Sequence, residues 1–427
     1  MSRLMRDLEG AMRGSVATPV IIKTKPSFLH ELKGLLRLNF DFWGQSIPRF
    51  NMFATILPNE IIDEVKQLNF VEAVYLDREI RIPEMRGAGI IFDPVEHVLI
   101  KFVALQPRRA ITVPKPEWIP TSESRKLLEA DQAEAEGYDG QGVKIGIIDT
   151  DSSSRYQAHP QLSGRVTGRS VIEEFSDKNG HGGHVSTTAL GGPYTPRVLG
   201  LKLLGVAPKA TGIGVKVLRG AAGMGNTSDV IKGIEYAAQQ GVHVINLSLG
   251  GSPTHDPAED PMFPVFQEIK DDIISCVAIG NDGPDGATTS APGSFPNVLG
   301  VGAIDAHGVI ANFSSRGPTP DGRTKPDVVA PGVNIFSGIT LDTYLDHIGD
   351  YLGNAVSPLS GTSMATPHVT GLIALAVQLF RKELPEVKLT TDLVLDICRT
   401  YGQTKDNTNG YGRIRFSWFK QYVGENK

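Results

Sequence analysis

Ser363 stands in the segment Ser360-Gly361-Thr362-Ser363-Met364-Ala365-Thr366-Pro367-His368-Val369-Thr370-Gly371-Leu372, between small residues and ahead of an apolar run. Small neighbours let a backbone and a second molecule come close to the hydroxyl. Proline is accommodated in a helix's first turn, so Pro367 predicts a helix whose N-terminus carries Ser363. Unpaired amides and the helix dipole favour negative charge there. A serine so placed could act as a nucleophile and support an oxyanion.

Such a serine needs a base for its proton, an acid to hold that base, and donors for the oxyanion. Asp149 closes the apolar run that begins at Val143, and open parallel sheets carry functional groups at strand C-termini. His181 lies in Asp177-Lys178-Asn179-Gly180-His181-Gly182-Gly183-His184-Val185-Ser186, a glycine-rich turn predicted to lead into a helix. Asn281 follows another apolar run, in Ala278-Ile279-Gly280-Asn281-Asp282-Gly283. These segments, in this order, resemble the subtilisin-like serine proteases (subtilase family, peptidase S8), whose chain order is Asp, His, Ser.

The resemblance implies a serine endopeptidase with Asp149, His181 and Ser363 as its catalytic triad. It gives Asn281 and the Ser363 N–H as oxyanion donors. Ser248-Leu249-Gly250 and Gly223-Met224-Gly225 are similar to the edges between which the family clamps an extended peptide as an added strand. The primary pocket would lie between 248–250 and 281–286, where no buried acid is evident, implying a preference for uncharged or apolar side chains. His159, His184 and His368 are expected to pack and hydrogen-bond rather than react.

The match loosens in places. The family usually carries threonine at the position of Gly183, Ala-Gly at Ser186-Thr187, and glycine at Asp151. Ser186 and Thr187 would crowd a close helix contact unless their neighbours are small. Asp151 is expected to point to solvent. No reacting group is missing, so these changes bear on rate rather than mechanism. Two alternatives stay open: a catalytically silent, prodomain-bound scaffold or binding module, and another serine hydrolase such as an esterase. The second lacks the Gly-x-Ser-x-Gly elbow around Ser363.

The elements that must position these residues read as α/β. From about residue 123, a helix over Glu123–Glu136 is followed by apolar strands alternating with helices. These are Val143–Asp149, Gly212–Leu218, helix Ser228–Gln240, Val242–Leu247, helix Pro264–Lys270 and Ile273–Ile279. The pattern predicts a doubly wound parallel sheet covered by helices on both faces. Ahead of it, residues 17–82 read as strand–helix–strand–helix–strand, with Asn59 capping the second helix. This part resembles the family's inhibitory propeptide, a small α+β ferredoxin-like domain. Residues 83–122 hold six prolines and read as a connector containing a maturation site; 123–427 would be the catalytic domain. The N-terminal domain would then be an intramolecular inhibitor, and other proteins or peptides the substrates.

The bulk composition fits this reading. The 427 residues exceed the usual size of one domain, and 40% hydrophobic with 21% charged residues describe a globular chain. A net charge of −5 leaves no footprint for nucleic acid. Only Cys276 and Cys398 occur, so buried free thiols are expected in place of a disulfide framework. No stretch reads as a membrane span. Met1–Thr18 lacks the continuous apolar core of a secretory signal. A cytoplasmic or non-classically exported protein is expected, or a secreted one if a signal was trimmed. The chemistry needs no cofactor. Structural calcium is compatible with the resemblance, with no ligand assignable: 191–200 is poor in carboxylates, and Asp256, Glu259 and Asp260 read as a solvated loop.

Overall fold

The computed structural model describes residues 17–37, 44–83, 118–151, 159–172, 174, 176–196, 201–345 and 355–427. Most of the expected connector therefore lies outside the described residues.

The N-terminal part is a four-stranded antiparallel sheet. Its elements are β1 (Ala17–Thr24), α1 (Leu29–Arg37), β2 (Gln45–Ile47), β3 (Met52–Pro58), α2 (Asn59–Lys66) and β4 (Val71–Leu76), with strand order β2-β3-β1-β4. Alternation along the strands sorts side chains to two faces. Val20, Ile22, Phe53 and Leu57 pack with Leu32, Leu36, Ile61 and Val65 of the helices. Ile21, Ile47, Met52 and Ala54 point the other way and join the core of the larger unit. The sequence pattern did not mark β2, which is only three residues long. Asn59 is the first helical residue rather than the cap, a place taken by Pro58 without a side-chain bond.

The larger unit is built on seven strands: β7 (Lys144–Asp149), β8 (Val166–Ser170), β9 (Thr211–Lys216), β11 (Val244–Leu247), β12 (Ile274–Ala278), β13 (Leu299–Ile304) and β14 (Val328–Pro331). Their order is β14-β13-β12-β11-β7-β9-β8, with every pairing parallel. One face is covered by α5 (His181–Leu190) and α8 (Thr362–Glu383), the other by α6 (Thr227–Gln239) and α7 (Met262–Ile269). Helices α9 (Thr391–Tyr401) and α10 (Phe416–Glu425) pack outside α8. A small sheet of β6 (Ile119–Pro120), β15 (Ile335–Gly338) and β16 (Val356–Leu359) lies beside α5. Both cysteines are free and buried, and burial pushes the Cys276 thiol up to about 12.

Three expectations change. The single helix over 123–136 is instead α3 (Thr121–Ser124), a 3-10 turn (Arg125–Leu128) and α4 (Ala130–Ala135), broken at Glu129 with φ 64°. The break lets the buried Arg125 guanidinium reach Glu134, Ala130 O and Val206 O. By length and composition α8 is apolar enough to span a membrane, yet 94% of its apolar window is buried inside the fold. Its hydrophobicity is that of a core helix packed on all sides. Pro367 lies beyond the first turn of α8 and removes the N–H that would bond Ser363 O. Ser363 O accepts from Ser248 Oγ at 2.9 Å instead.

Candidate active site

Asp149 ends β7 and His181 begins α5, which brings their side chains together at the C-terminal edge of the sheet. His181 Nδ1 lies 2.8 Å from Asp149 Oδ1 and 3.0 Å from Oδ2, and both residues are fully buried. Thr150 N–H donates to Asp149 Oδ1 at 2.7 Å, and Thr150 Oγ1 accepts from Gly182 N at 2.9 Å. The strand end and the helix start are thus tied through one threonine. Lys216, buried beneath, donates to Thr150 O at 3.0 Å.

The loop before His181 is held by Asp177, whose Oδ1 accepts from Asn179 N (2.9 Å) and Gly180 N (3.0 Å). Asn179 Oδ1 in turn accepts from His181 N at 3.0 Å. Burial raises the Asp177 carboxyl to about 6 against the pull of those donors. Gly180 has φ 99°, and a Cβ there would come 2.4 Å from Thr343 Oγ1. A Cβ on Gly182 would come 2.4 Å from Asp151 O. The glycines around His181 therefore answer to crowding as well as to backbone conformation.

With Nδ1–H donated to the carboxylate, the tautomer leaves the lone pair on Nε2. That atom is buried and makes no hydrogen bond among the described residues. Ser363, in the first turn of α8, donates from Oγ to Ser248 O at 3.2 Å. Ser248 Oγ is itself fixed by Asn246 Nδ2 at 3.0 Å, and Asn246 Oδ1 by Thr370. Asn281 Oδ1 accepts from Thr362 N and Thr362 Oγ1, each at 2.9 Å. That fixes which end of the amide faces Thr362 and turns Nδ2 toward Gly361, where an added Cβ would sit 3.2 Å away.

A strand of the same chain lies in the neighbouring groove. β5 (Glu79–Arg81) pairs antiparallel with β10 (Met224–Asn226), with Ile80 opposite Gly225. On its other side, Arg81 exchanges both hydrogen bonds with Gly250, at 3.1 and 3.0 Å, and Ile82 N–H donates to Gly223 O at 3.1 Å. Ile80 and Ile82 are buried, whereas Glu79 and Arg81 are exposed. Gly223, at φ 64°, has no room for a side chain, since its Cβ would overlap Ile82 Cδ1 at 2.2 Å. A cavity of about 480 Å³ opens beside Pro83, lined among others by Gly250, Ser252, Asp282, Thr288 and Ser290. It extends further along 287–290 than expected, and its wall includes an exposed carboxylate, Asp282.

The three other histidines expected to pack and hydrogen-bond, His159, His184 and His368, are occupied elsewhere. His184 Nε2 meets Ile335 O (2.9 Å) and Ser357 O (3.2 Å), and burial lowers its pKa to about 3. His368 bridges Ser124 Oγ (2.6 Å) and Met364 O (2.8 Å), with a pKa lowered to about 4 by burial. His159 packs edge-on against Tyr194 and accepts from Gln161 N.

Thr187 fits its contact because β15 offers Ser337 and Gly338, whose Oγ and O each lie 2.8 Å from Thr187 Oγ1. Gly183 is matched to Thr340, whose main-chain N would lie 2.2 Å from an added Cβ. Asp151 does not face solvent: it is 4% exposed with φ 127°, a backbone that glycine adopts more easily. The sequence reading missed Thr150, Thr362 and Lys216. Asp177 carries a local signal, since aspartate habitually bonds backbone two or three residues on.

In the loop expected to be solvated, Asp256 accepts from Ala258 N and Asp260 from Met262 N, and Asp260 is buried rather than exposed. Among the described residues no group of three or more His, Cys, Asp or Glu side chains forms a metal site.

The profile of the subtilase family, peptidase S8, matches residues 140–412. The chain is 36% identical over 268 residues to serine protease AprX of Bacillus subtilis (strain 168), covering 56% of this chain and 58% of that protein. It is 37% identical to subtilisin DY of Bacillus licheniformis, covering 58% of this chain and 81% of the relative. With subtilisin Savinase of Lederbergia lenta the figures are 38%, 59% and 82%. The match thus spans little more than half the length of AprX and most of the shorter subtilisins.

Proposed function

The chain belongs to the subtilase family, and from that premise we propose that it is a serine endopeptidase held as a zymogen by its own N-terminal part. His181 Nε2 takes the proton of Ser363 as Oγ attacks a peptide carbonyl. Asp149 keeps Nδ1 protonated and stabilises the imidazolium. Asn281 Nδ2 and the Ser363 N–H receive the oxyanion. The protonated imidazole then gives its proton to the leaving amine, and water releases the acyl-enzyme. The observation that carries this reading is the buried His181–Asp149 pair, two contacts of 2.8 and 3.0 Å that leave Nε2 without a partner among the described residues.

Residues 17–82 act in this reading as the inhibitor, 83–122 as the connector with the maturation site, and 123–427 as the enzyme. What supports inhibition is that β5 takes the place of an added substrate strand between 223–225 and 248–250. Further contacts brace it: Asp77 accepts from Ser228 N (2.9 Å) and Ser228 Oγ (2.6 Å) in the first turn of α6, and Arg49 N donates to Glu235 at 2.7 Å. No metal enters the mechanism.

Purified wild-type chain and Ser363→Ala, assayed for cleavage of an unfolded protein and for their own mass over time, test the proposal. Both activities should vanish in the variant. Continued self-cutting by purified Ser363→Ala would remove the autocatalytic part.

A further inference from the structure

Antiparallel ladders exchange both hydrogen bonds at alternate residue pairs. Arg81 and Gly250 form such a pair. Two residues further, the same register sets residue 83 opposite Ser248, so the N–H of residue 83 is due to donate to Ser248 O. Residue 83 is proline and has no N–H. Ser248 O accepts instead from Ser363 Oγ, at 3.2 Å. The serine hydroxyl is therefore directed at a main-chain carbonyl, while His181 Nε2 has no partner among the described residues.

We propose that Pro83 is what allows this chain to hold its own strand in the groove while cutting it only slowly. The inference rests on the endopeptidase reading. In the reaction at stake, Ser363 Oγ adds to the carbonyl carbon of residue 83 and the C–N bond that follows breaks. The serine proton passes through His181 to the departing amine, and water then restores the carboxylate of residue 83 and the free serine.

A residue with an N–H at position 83 helps twice. It completes the ladder and holds its carbonyl beside the serine, and it competes for Ser248 O, releasing the hydroxyl toward His181. Proline does neither. The resident strand is thus a substrate in every contact up to Arg81–Gly250 and Ile82–Gly223, and fails at the residue where reaction would occur.

The test uses the full chain with Pro83→Ala and Pro83→Gly, both of which restore the N–H, each with and without Ser363→Ala. Intact mass is followed over time, and a fluorophosphonate probe is added to parallel samples. Both variants should release a fragment ending at residue 83 about tenfold faster than wild type, the effect of one well-placed hydrogen bond. The Ser363→Ala partners should stay whole. Labelling of Ser363 with no acceleration in either variant overturns this inference alone. Absence of label and cut in every chain overturns the endopeptidase reading, and this inference with it.

Discussion

One nitrogen of His181, Nδ1, faces both carboxylate oxygens of Asp149, at 2.8 and 3.0 Å, in a place closed to solvent. A carboxylate in that position selects the tautomer, because a lone pair on Nδ1 would face two acceptors. It also means that any positive charge gained by the ring is countered at once.

Asp149→Asn should therefore fold but lose kcat by about ten-thousandfold, since an amide can present its NH₂ to Nδ1 and favour the wrong tautomer. Peptide hydrolysis of the matured variant, beside a thermal melt showing an intact fold, checks this. A loss of only a few-fold would remove Asp149 from the mechanism.

Asn281 is held by Thr362 through Oδ1, and in the proposed mechanism its Nδ2 donates to the developing oxyanion. Asn281→Ala should lower kcat by about a hundred- to a thousandfold and leave KM nearly unchanged, as expected for a contact made mainly in the transition state. A change confined to KM would assign Asn281 to substrate grip instead.

Gly183 faces the backbone of Thr340 with no space between them. Introducing the threonine usual in the family, Gly183→Thr, should destabilise the fold by about 3 kcal/mol, because main chain must move to admit it. Denaturant unfolding in a Ser363→Ala background reads this directly. A neutral result would mean that the 340 segment shifts freely.

His368 is buried between Ser124 and Met364, which lowers its pKa from 6.5 to about 4. Its folded pKa is depressed, so the folded state binds less proton than the unfolded chain between these values. Stability from this group is present above about pH 6.5 and is lost as the pH falls toward about 4. Relative to His368→Gln, the parent should lose about 1.4 kcal/mol per pH unit across that window. Urea unfolding of the two chains at several pH values, both carrying Ser363→Ala, measures the difference.

Much of the site's placement could be read from residue order. Asp149 closes an apolar run, and such runs become buried parallel strands with functional C-terminal ends. Small residues ahead of an apolar stretch put Ser363 at a helix start, although Pro367 settled in the second turn because Ser248 Oγ supplies the bond it forfeits. Other features depend on distant partners and left no local mark. Asp151 is buried because α5 begins against its backbone. The helix expected at 123–136 breaks so that Arg125 can reach carbonyls and Glu134. β2 is too short to show periodicity. That residues 79–82 would fill the groove between 223–225 and 250 follows from pairing across the fold, which strand patterns alone do not reveal.

The most direct test of the account is time-resolved intact mass of the full chain in the presence of a fluorophosphonate, with the adduct mapped by peptide sequencing. A single adduct on Ser363 is expected, growing in step with release of the N-terminal fragment and absent from His181→Ala. Release of the fragment with no adduct, or an adduct on any other residue, would contradict it.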